Sequence, residues 1–579
     1  MKNLLRSYTI RLASLAWLLV IFLVFNYIVS LHFLFERSFE LGPIVIGIPL
    51  ISSYTWAFLF VMFLALWPGS RIRVFLSTFL IIIAITLFVV DNYLLSAYSY
   101  VYTDSMAISL FATNIAETKE FISGSIVSWW LIPLVFSFVL IAITFRYRKS
   151  IESAVSFLFE RYRNLTTAVL ISPLLLLFFI LLPIHTHFYL GGYNGFRFST
   201  SFPRFVTNTM ICLEEQRKVQ EHINDVKNGD LGHFFVEKKL EPFNLVIVIG
   251  ESLRRDYMHC YGYPISNTPN LDTLIQNKEM VLYTDVIAPV SYTIGSLSKS
   301  LTFSDNYSDK EWYQFVSLPA TLSRAGYFTY WVSNQELQGG NIQPVATIAA
   351  TSDSTKYTRA RSATLWDSSY DETVLPFLMT KDGIETHSPK RSIAQFVHLM
   401  GSHTTYRERF PKDFARFSAS DLPEMTPQGH TRPKSQEKDQ VLVDYINSIY
   451  YNDHIISEIV GKYKHQPTIL IYFADHGVEV YDNPKKPDFS GHPNSIDGLR
   501  VPLLVYFSPS MRNSYPDLWE EVTKSANNKI MTDLFTRSVC GMLGIRTKYS
   551  DEKLNFFSPK YDNTRKRVSE VFGTMMETL

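Results

Sequence analysis

The chain has 579 residues, of which 47% are hydrophobic, 15% aromatic and only 18% charged. This composition excludes a disordered chain, a collagen and a coiled coil. Lys and Arg number 54 against 53 Asp and Glu, a formal net charge of +1, so we expect no nucleic-acid partner. With 3 cysteines the chain is not a disulfide scaffold. The apolar residues are concentrated in the first third, which indicates two differently built halves.

The first 190 residues contain apolar stretches long enough for membrane-spanning helices, which need about 20 residues each. They cover residues 12–35, 44–67, 74–90, 126–145 and 165–184. The loops between them are alternately basic and acidic, and basic loops mark the cytoplasmic side. We therefore predict that residues 1–190 form an α-helical membrane domain of five spans with its N-terminus inside. The residues that follow then lie outside, which in a bacterium is the periplasm.

One loop that this topology places outside carries a helical pattern of its own. Met106, Ser109, Thr113 and Glu117 recur at helical spacing, so they share one face of a predicted amphipathic helix at the membrane surface. Two interpretations are open: a solvated polar face, or one wall of a site that meets a lipid.

Beyond residue 190 the pattern changes to that of a soluble α/β domain. Residues 191–238 are mixed and polar, which predicts a linker with bridging helices, and residues 239–579 form the predicted second domain. Continuous apolar runs alternate there with helical patterns, which is typical of a mostly parallel central sheet covered on both faces. The runs are 243–250, 281–287, 328–333, 393–400, 468–474 and 501–507. Ligands of such sheets bind beyond the carboxyl ends of the strands.

Several of these predicted strands end in residues that ligate metals. Glu251 follows the first run, Asp475 and His476 follow the run at 468–474, and His403 follows the run at 393–400, with His492 further on. Carboxylate oxygens with imidazole nitrogens suit Zn²⁺. A single pair of this kind occurs by chance or caps a helix, but three strand ends at one sheet edge favour a metal site over simple packing.

The segment after the run at 281–287 supplies candidate nucleophiles. It contains the hydroxyl residues Ser291, Thr293 and Ser296 at a predicted loop-to-helix junction. Metal coordination lowers the pKa of a hydroxyl, and a helix N-terminus favours a bound phosphate. Each of the three is equally suited to be an N-cap, so these considerations leave the choice open.

Several motifs together resemble those of bacterial phosphoethanolamine transferases, which modify lipopolysaccharide. They are GESLRRDYMHCYGYPISNTPNL at 250–271, SYTIGSL at 291–297, WVSNQ at 331–335, HLMGSH at 398–403, YNDH at 451–454 and ADHG at 474–477. The resemblance covers nearly the whole chain. It implies an inner-membrane protein with five spans and a periplasmic alkaline-phosphatase-like domain.

The resemblance also implies roles for individual residues. The zinc ligands would be Glu251, Thr293, Asp475 and His476, with Thr293 as the nucleophile. Two histidines, His403 and His492, would hold the donor phosphate or a second zinc ion. The donor-binding face of the outer helix would consist of Ser109, Thr113 and Glu117.

The implied reaction moves phosphoethanolamine from phosphatidylethanolamine to lipopolysaccharide or lipooligosaccharide through a covalent threonine intermediate. Some positions depart from the branch that modifies lipid A: the cysteines that bracket the nucleophile there are absent, and Val290 and Lys299 stand nearby. The SNQ motif at 333–335 and the YTI motif at 292–294 look closer to the branch that modifies core heptoses. Two alternatives are a polyglycerol-phosphate synthase that uses phosphatidylglycerol, and a non-catalytic membrane receptor with a phosphatase-like domain. An arylsulfatase is not expected, since no Cys or Ser near Thr293 stands in a C/S-x-P-x-R context.

Overall fold

The structure, a computed structural model, describes residues 2–37, 43–98, 101–103, 106–107, 110, 131–162, 200–238, 240–335, 344–358, 370–380, 391–571 and 574–578. The chain divides into two units. The first contains the described residues up to Glu214, and the second contains those from Glu215 onward.

The first unit is helical. Its helices are α1 (Lys2–Ser14), α2 (Ala16–Arg37), α3 (Pro43–Leu66), α4 (Ser70–Tyr98), α5 (Leu131–Arg146), α6 (Arg148–Arg161) and α7 (Ser201–Glu221), which begins in the first unit and ends in the second. The α2 helix packs against α3 and α4 around fully buried side chains such as Leu18, Ile21 and Leu64. Many other apolar side chains of α4 and α5 are exposed, as expected of helices that contact lipid.

Apolar helices of spanning length indicate that this unit is a membrane anchor. Among the described residues, Ala16–Phe33 and Ser70–Ser96 are each long and apolar enough to cross a membrane, and α5 with α6 forms a third candidate bent by 63°. The described apolar segment of α3, Ile51–Leu66, is shorter. The predicted fifth span, 165–184, lies outside the described residues, so the total of five spans stays a prediction.

The second unit is an α/β domain. Its helices are α8 (Ile223–Asn228), α9 (Pro269–Gln276), α10 (Thr293–Ser300), α11 (Leu318–Arg324), α12 (Pro344–Ala349), α13 (Gln436–Tyr463), α14 (Pro509–Ser514), α15 (Pro516–Lys524) and α16 (Phe535–Met542). The central sheet consists of β1 (Asn244–Gly250), β2 (Met280–Leu282), β3 (Phe328–Ser333), β4 (Ser354–Tyr357), β5 (Ile393–His398), β6 (Thr468–Ala474) and β7 (Leu503–Phe507). Short strands outside this sheet are Phe235–Val236, Asp285–Ile287, Glu479–Val480, Ser490–Gly491, Lys529–Met531, Ile545–Arg546, Arg567–Val571 and Thr574–Thr578.

The strand order across the sheet is β2-β7-β6-β1-β5-β3-β4. The sheet is mixed: β7 pairs antiparallel with both β2 and β6, and the other strands run in one direction. Every residue of β1, β5 and β6 is buried, which agrees with their continuous apolar sequences. The register pairs Gly250 of β1 with Ala474 of β6, so the residues after both strands emerge at one edge.

One predicted strand was wrong. The run at 281–287 is divided into Met280–Leu282, in the central sheet, and Asp285–Ile287, which pairs with Lys529–Met531. The chain leaves the sheet at Tyr283, whose buried hydroxyl bonds to Val522 O and Ser525 Oγ. A uniformly apolar run carries no signal for such a change of partner.

Candidate metal centre

Three ligand-type side chains converge at the carboxyl edge of the sheet. Glu251 follows β1, and Asp475 and His476 follow β6; all three are buried. Their ligand atoms lie within 4.8 Å of one another. His476 Nε2 is 3.5 Å from Glu251 Oε1 and 3.4 Å from Asp475 Oδ2. The aligned ends of β1 and β6 therefore bring together residues that are more than two hundred positions apart in the chain.

The hydroxyl of Thr293 completes this cluster. Thr293 is the first residue of α10, and its Oγ1 lies 3.1 Å from Glu251 Oε2 and 3.3 Å from His476 Nε2. The other two candidate hydroxyls have different surroundings. Ser296 donates to the carbonyl of Asp475 at 2.5 Å, and the Ser291 hydroxyl is fully buried with no partner among the described residues. Of the three, Thr293 has the hydroxyl that contacts the acidic and imidazole groups.

The electrostatics of the cluster are those of a cation site. Burial, followed by the nearby Asp475, raises the pKa of Glu251 to about 8. Burial likewise raises the pKa of Asp475 to about 6. Burial lowers the pKa of His476, which favours the neutral form of its imidazole. Two buried carboxylates without a cation are unfavourable, and a divalent ion between them removes that cost.

The donor set fits Zn²⁺. The Nδ1 of His476 lies 2.7 Å from Gly477 O, which assigns the ring proton to Nδ1 and leaves a lone pair on Nε2, the atom that faces the cluster. The buried Oδ2 of Asp475 has no hydrogen-bond partner among the described residues. Two carboxylates, one imidazole nitrogen and one hydroxyl are an appropriate tetrahedral set.

Two supporting residues had no role in the sequence-based prediction. Ser252 donates from Oγ to Glu251 Oε1 at 2.7 Å and from its backbone N–H to Asp475 Oδ1 at 3.0 Å, with a φ of 56°. Gln335 donates from Nε2 to Glu251 Oε2 at 3.2 Å and to Leu399 O at 3.1 Å. Both belong to motifs visible in the sequence, GES and WVSNQ, and only the fold shows what they touch.

The turn after β5 supports Glu251 from the other side. Gly401 has a φ of +52°, and a Cβ there would lie 2.8 Å from the backbone N and O of Glu251. The N–H of Ser402 donates to Glu251 O at 2.9 Å. Asp371 holds the turn by accepting from the N–H groups of Met400 and Gly401, both at 2.8 Å.

A buried arginine joins the two segments that carry the ligands. Arg254, three residues after Glu251, donates to Asp482 Oδ2 at 2.5 Å and to Asp256 Oδ2 at 3.1 Å and 3.0 Å. It also donates to Val478 O at 3.4 Å. Arg254 and Asp482 are almost completely buried. This pair ties the segment after β1 to the segment after β6.

Of the remaining predicted site residues, the two histidines lie in the described part of the chain and the three outer-loop residues do not. The ring of His492 lies 4.9 Å from that of His476 in an edge-on arrangement, and burial lowers its pKa to about 3. His403 is half-buried on the turn after β5, and its N–H donates to Met400 O at 3.2 Å. The outer-loop residues Ser109, Thr113 and Glu117 lie outside the described residues.

Comparison with known proteins gives consistent matches to this half of the chain. The Sulfatase family model matches residues 243–545, just over half of the chain. The phosphoethanolamine transferase EptC of Escherichia coli O18:K1:H7 is 28% identical over 350 residues, which cover 59% of this chain and 58% of that protein. The match therefore covers less than two thirds of the length of this curated relative.

One solved structure matches 60% of this chain, and another matches nearly the whole chain. The C-terminal periplasmic domain of EcEptC from Escherichia coli in complex with Zn has a TM-score of 0.53 and 26% identity, over 60% of this chain and 96% of that one. The integral membrane lipooligosaccharide phosphoethanolamine transferase A (EptA) of Neisseria meningitidis has a TM-score of 0.58 over 95% of this chain and 98% of that one. At 16% identity, that second likeness shows the fold alone.

Proposed function

Because the chain belongs to the Sulfatase family, we propose that it is a phosphotransferase that moves phosphoethanolamine from phosphatidylethanolamine to lipopolysaccharide or lipooligosaccharide. The observation that carries this proposal is the contact of the Thr293 hydroxyl with the buried carboxylate of Glu251 and the buried imidazole of His476 at the sheet edge. The relatives named phosphoethanolamine transferase support the choice of transferred group. The apolar helices of the first unit suit an enzyme whose donor is a membrane lipid.

In this proposal Thr293 is the nucleophile. Its oxygen attacks the phosphorus of the donor, the bond between phosphorus and diacylglycerol breaks, and the departing diacylglycerol takes up the proton that Thr293 loses. In the second step an acceptor oxygen attacks the same phosphorus, the threonine–phosphate bond breaks, and the acceptor proton returns to Thr293. The N-terminus of α10, where Thr293 lies, stabilises negative phosphoryl oxygens.

The proposed zinc ligands are Glu251, Thr293, Asp475 and His476. When bound, Zn²⁺ supplies charge neutralisation at the phosphoryl oxygens and favours the alkoxide form of the threonine. His403 and His492 are proposed to hold the donor phosphate or a second zinc ion, and the position of the His492 ring beside His476 supports this for His492. Ser109, Thr113 and Glu117 stay proposed as the donor-binding face of the outer helix.

The proposed location is the bacterial inner membrane, with the second unit in the periplasm, where lipopolysaccharide is accessible. The acceptor is the less specific part of the proposal: resemblance to the core-heptose branch favours a core sugar over lipid A. Mass spectrometry of lipid A and core oligosaccharide, from cells with and without the gene, identifies which of them carries phosphoethanolamine.

The first prediction tests the nucleophile. Wild-type protein incubated with phosphatidylethanolamine should carry a phosphoethanolamine adduct on Thr293, detected by tandem mass spectrometry of the digested protein. Thr293→Ala should lose both the adduct and transfer, whereas Thr293→Ser should retain part of both because the hydroxyl remains.

Ser291→Ala is the matched control and should keep both the adduct and transfer, because its hydroxyl does not contact the cluster. An adduct on Ser291 or Ser296 would move the nucleophile. A glycerol-phosphate adduct formed from phosphatidylglycerol, in place of phosphoethanolamine, would favour the polyglycerol-phosphate alternative.

A further inference from the structure

The α6 helix of the first unit turns sharply away from the apolar helix before it. The axis of α6 is bent by 63° from that of α5 at the junction around Tyr147. The α5 helix exposes apolar side chains along its length, including Ile132, Val135 and Phe138, which suits a helix among acyl chains. With α5 along the membrane normal, a helix at 63° to it lies closer to the membrane plane than to the normal.

The two faces of α6 have different environments. One face packs against α1 and α2, and its apolar residues Ile151, Val155 and Phe159 are half-buried there. The opposite face is exposed and carries Phe157, which is 63% exposed, and Leu158, which is 47% exposed. At helical spacing, Ser153 and Glu160 flank this apolar patch on one side, and both are exposed.

The surroundings of α6 are strongly basic. The residues at this end of the unit carry Arg6, Arg11, Arg71, Arg73, Arg146, Arg148, Lys149 and Arg161 against Glu152 and Glu160, counting only described side chains. Contacts between the helices place these charges at one end. Arg11 donates to Ala65 O and Arg73 to Trp67 O, both near the end of α3, and Trp17 of α2 contacts Phe145 of α5.

We propose that α6 is a membrane-surface helix that binds anionic lipid headgroups. Phe157 and Leu158 insert among the acyl chains, and the exposed Lys149 and Arg161 contact headgroup phosphates. An exposed apolar patch with adjacent basic side chains is the pattern of a helix lying in the lipid–water interface. The occupant is a lipid surface because the patch lies on the helix that directly follows the apolar, exposed α5 and because the net charge of this end is positive. The proposal concerns the first unit and does not depend on the reaction of the second.

The depth of α6 is measured with nitroxide labels on the full chain in phosphatidylcholine–phosphatidylglycerol nanodiscs. Labels are attached at Phe157→Cys, Leu158→Cys, Ser153→Cys and Glu160→Cys, in a Cys260→Ser background because Cys212 and Cys540 are buried. Labels at 157 and 158 should collide with dissolved oxygen and be protected from an aqueous nickel complex, and those at 153 and 160 should show the reverse. Equal exposure of all four to the nickel complex, or protection of 157 and 158 from both reagents as in a protein interface, overturns the proposal.

The headgroup contact has its own measurement. Native mass spectrometry of the full chain, released from nanodiscs of phosphatidylcholine alone or mixed with phosphatidylglycerol, counts the anionic lipids retained. Lys149→Gln and Arg161→Gln should each lower this retention by about 5-fold. Glu152→Gln and Glu160→Gln, the matched controls, should not lower it. Unchanged retention in the two basic-residue variants contradicts the assigned headgroup contact.

Discussion

The carboxylate of Glu251 is held by more groups than any other ligand in the cluster. Ser252 Oγ, Gln335 Nε2 and the Thr293 hydroxyl all donate to its two oxygens. Even so, its pKa is raised to about 8, because burial and the neighbouring Asp475 outweigh these hydrogen bonds. A buried carboxylate with a pKa raised in this way is typical of functional sites, which supports the proposal that Glu251 binds a cation.

The second prediction concerns Glu251→Gln. Whether this variant is more or less stable than wild type should depend on whether Zn²⁺ is present. A carboxyl group whose pKa is raised on folding contributes stability at low pH that is lost as the pH rises through the folded value. Metal-free wild type and variant should therefore be similar near about pH 5, and the variant should be more stable by a few kcal/mol near about pH 9. With Zn²⁺ the order should reverse. Thermal unfolding with a chelator and with Zn²⁺ measures both orders.

The control for this experiment is Glu241→Gln, which changes an exposed carboxylate before β1. It should shift neither the pH dependence nor the response to Zn²⁺. If Glu251→Gln gains the same stabilisation from Zn²⁺ as wild type, then Glu251 is not a ligand.

Gln335 supports a third prediction at the residue scale. Gln335→Leu should lower zinc affinity by about 10-fold, because the groups that orient metal ligands typically contribute that much. Gln335→Glu should lower the zinc affinity less than Gln335→Leu, since its carboxylate beside Glu251 and Asp475 attracts the cation. Titration with a competing zinc indicator measures both affinities. An affinity equal to wild type in both variants would leave Gln335 without a positioning role.

At the scale of elements, the site depends on three strand ends and one helix start. The parallel pairing of β1 with β6 and β5 aligns Gly250, Ala474 and the turn after His398 at one edge. Thr293, as the first residue of α10, then presents its hydroxyl to that edge. We expect the turn after β5 to tolerate substitution least among these parts, because Gly401 combines a positive φ with close contact to the Glu251 backbone.

The fourth prediction compares two glycines. Gly401→Ala should lose stability from the left-handed backbone, about 1–2 kcal/mol, and should also displace Glu251, which lowers zinc affinity and activity. Gly429 has a φ of +80° and open space around its Cβ position, so Gly429→Ala should lose stability only. Thermal unfolding and zinc titration of both variants separate strain from displacement. Normal zinc affinity in Gly401→Ala would show that the turn adapts without moving Glu251.

At the scale of the whole molecule, the first unit anchors the chain by apolar helices and the second contains the candidate metal centre. The described basic side chains at the α1 and α6 end of the first unit outnumber the acidic ones. By the positive-inside rule this excess of basic residues predicts that this end lies on the cytoplasmic side. The acceptor in the proposed function requires the second unit on the opposite side.

Reporter fusions give the fifth prediction. A fusion after Arg148 should report the cytoplasm, and a fusion after Gly192 should report the periplasm. A periplasmic phosphatase and a cytoplasmic fluorescent protein, used in parallel at both positions, control for expression. A cytoplasmic result at Gly192 would separate the second unit from lipopolysaccharide and overturn the proposed acceptor.

The amino-acid sequence by itself determined the class of each half. Long apolar stretches indicated membrane helices, because lipid requires them, and continuous apolar runs indicated the buried strands β1, β5 and β6 close to their observed bounds. The types of residue after these strands also indicated the metal chemistry. These features are local, so they can be recognised without knowing which parts of the chain meet.

The tertiary structure decided what depends on distant contacts. It distinguished Thr293 from the other candidate hydroxyls, Ser291 and Ser296, because the fold brings the Thr293 hydroxyl to Glu251 and His476. It divided the run at 281–287 between two sheets. It also showed that β7 runs antiparallel to both of its neighbours. It also assigned contacts to Gln335 and Arg254. Each of these depends on which side chains the folded chain places within hydrogen-bond distance, and residue type alone carries no such information.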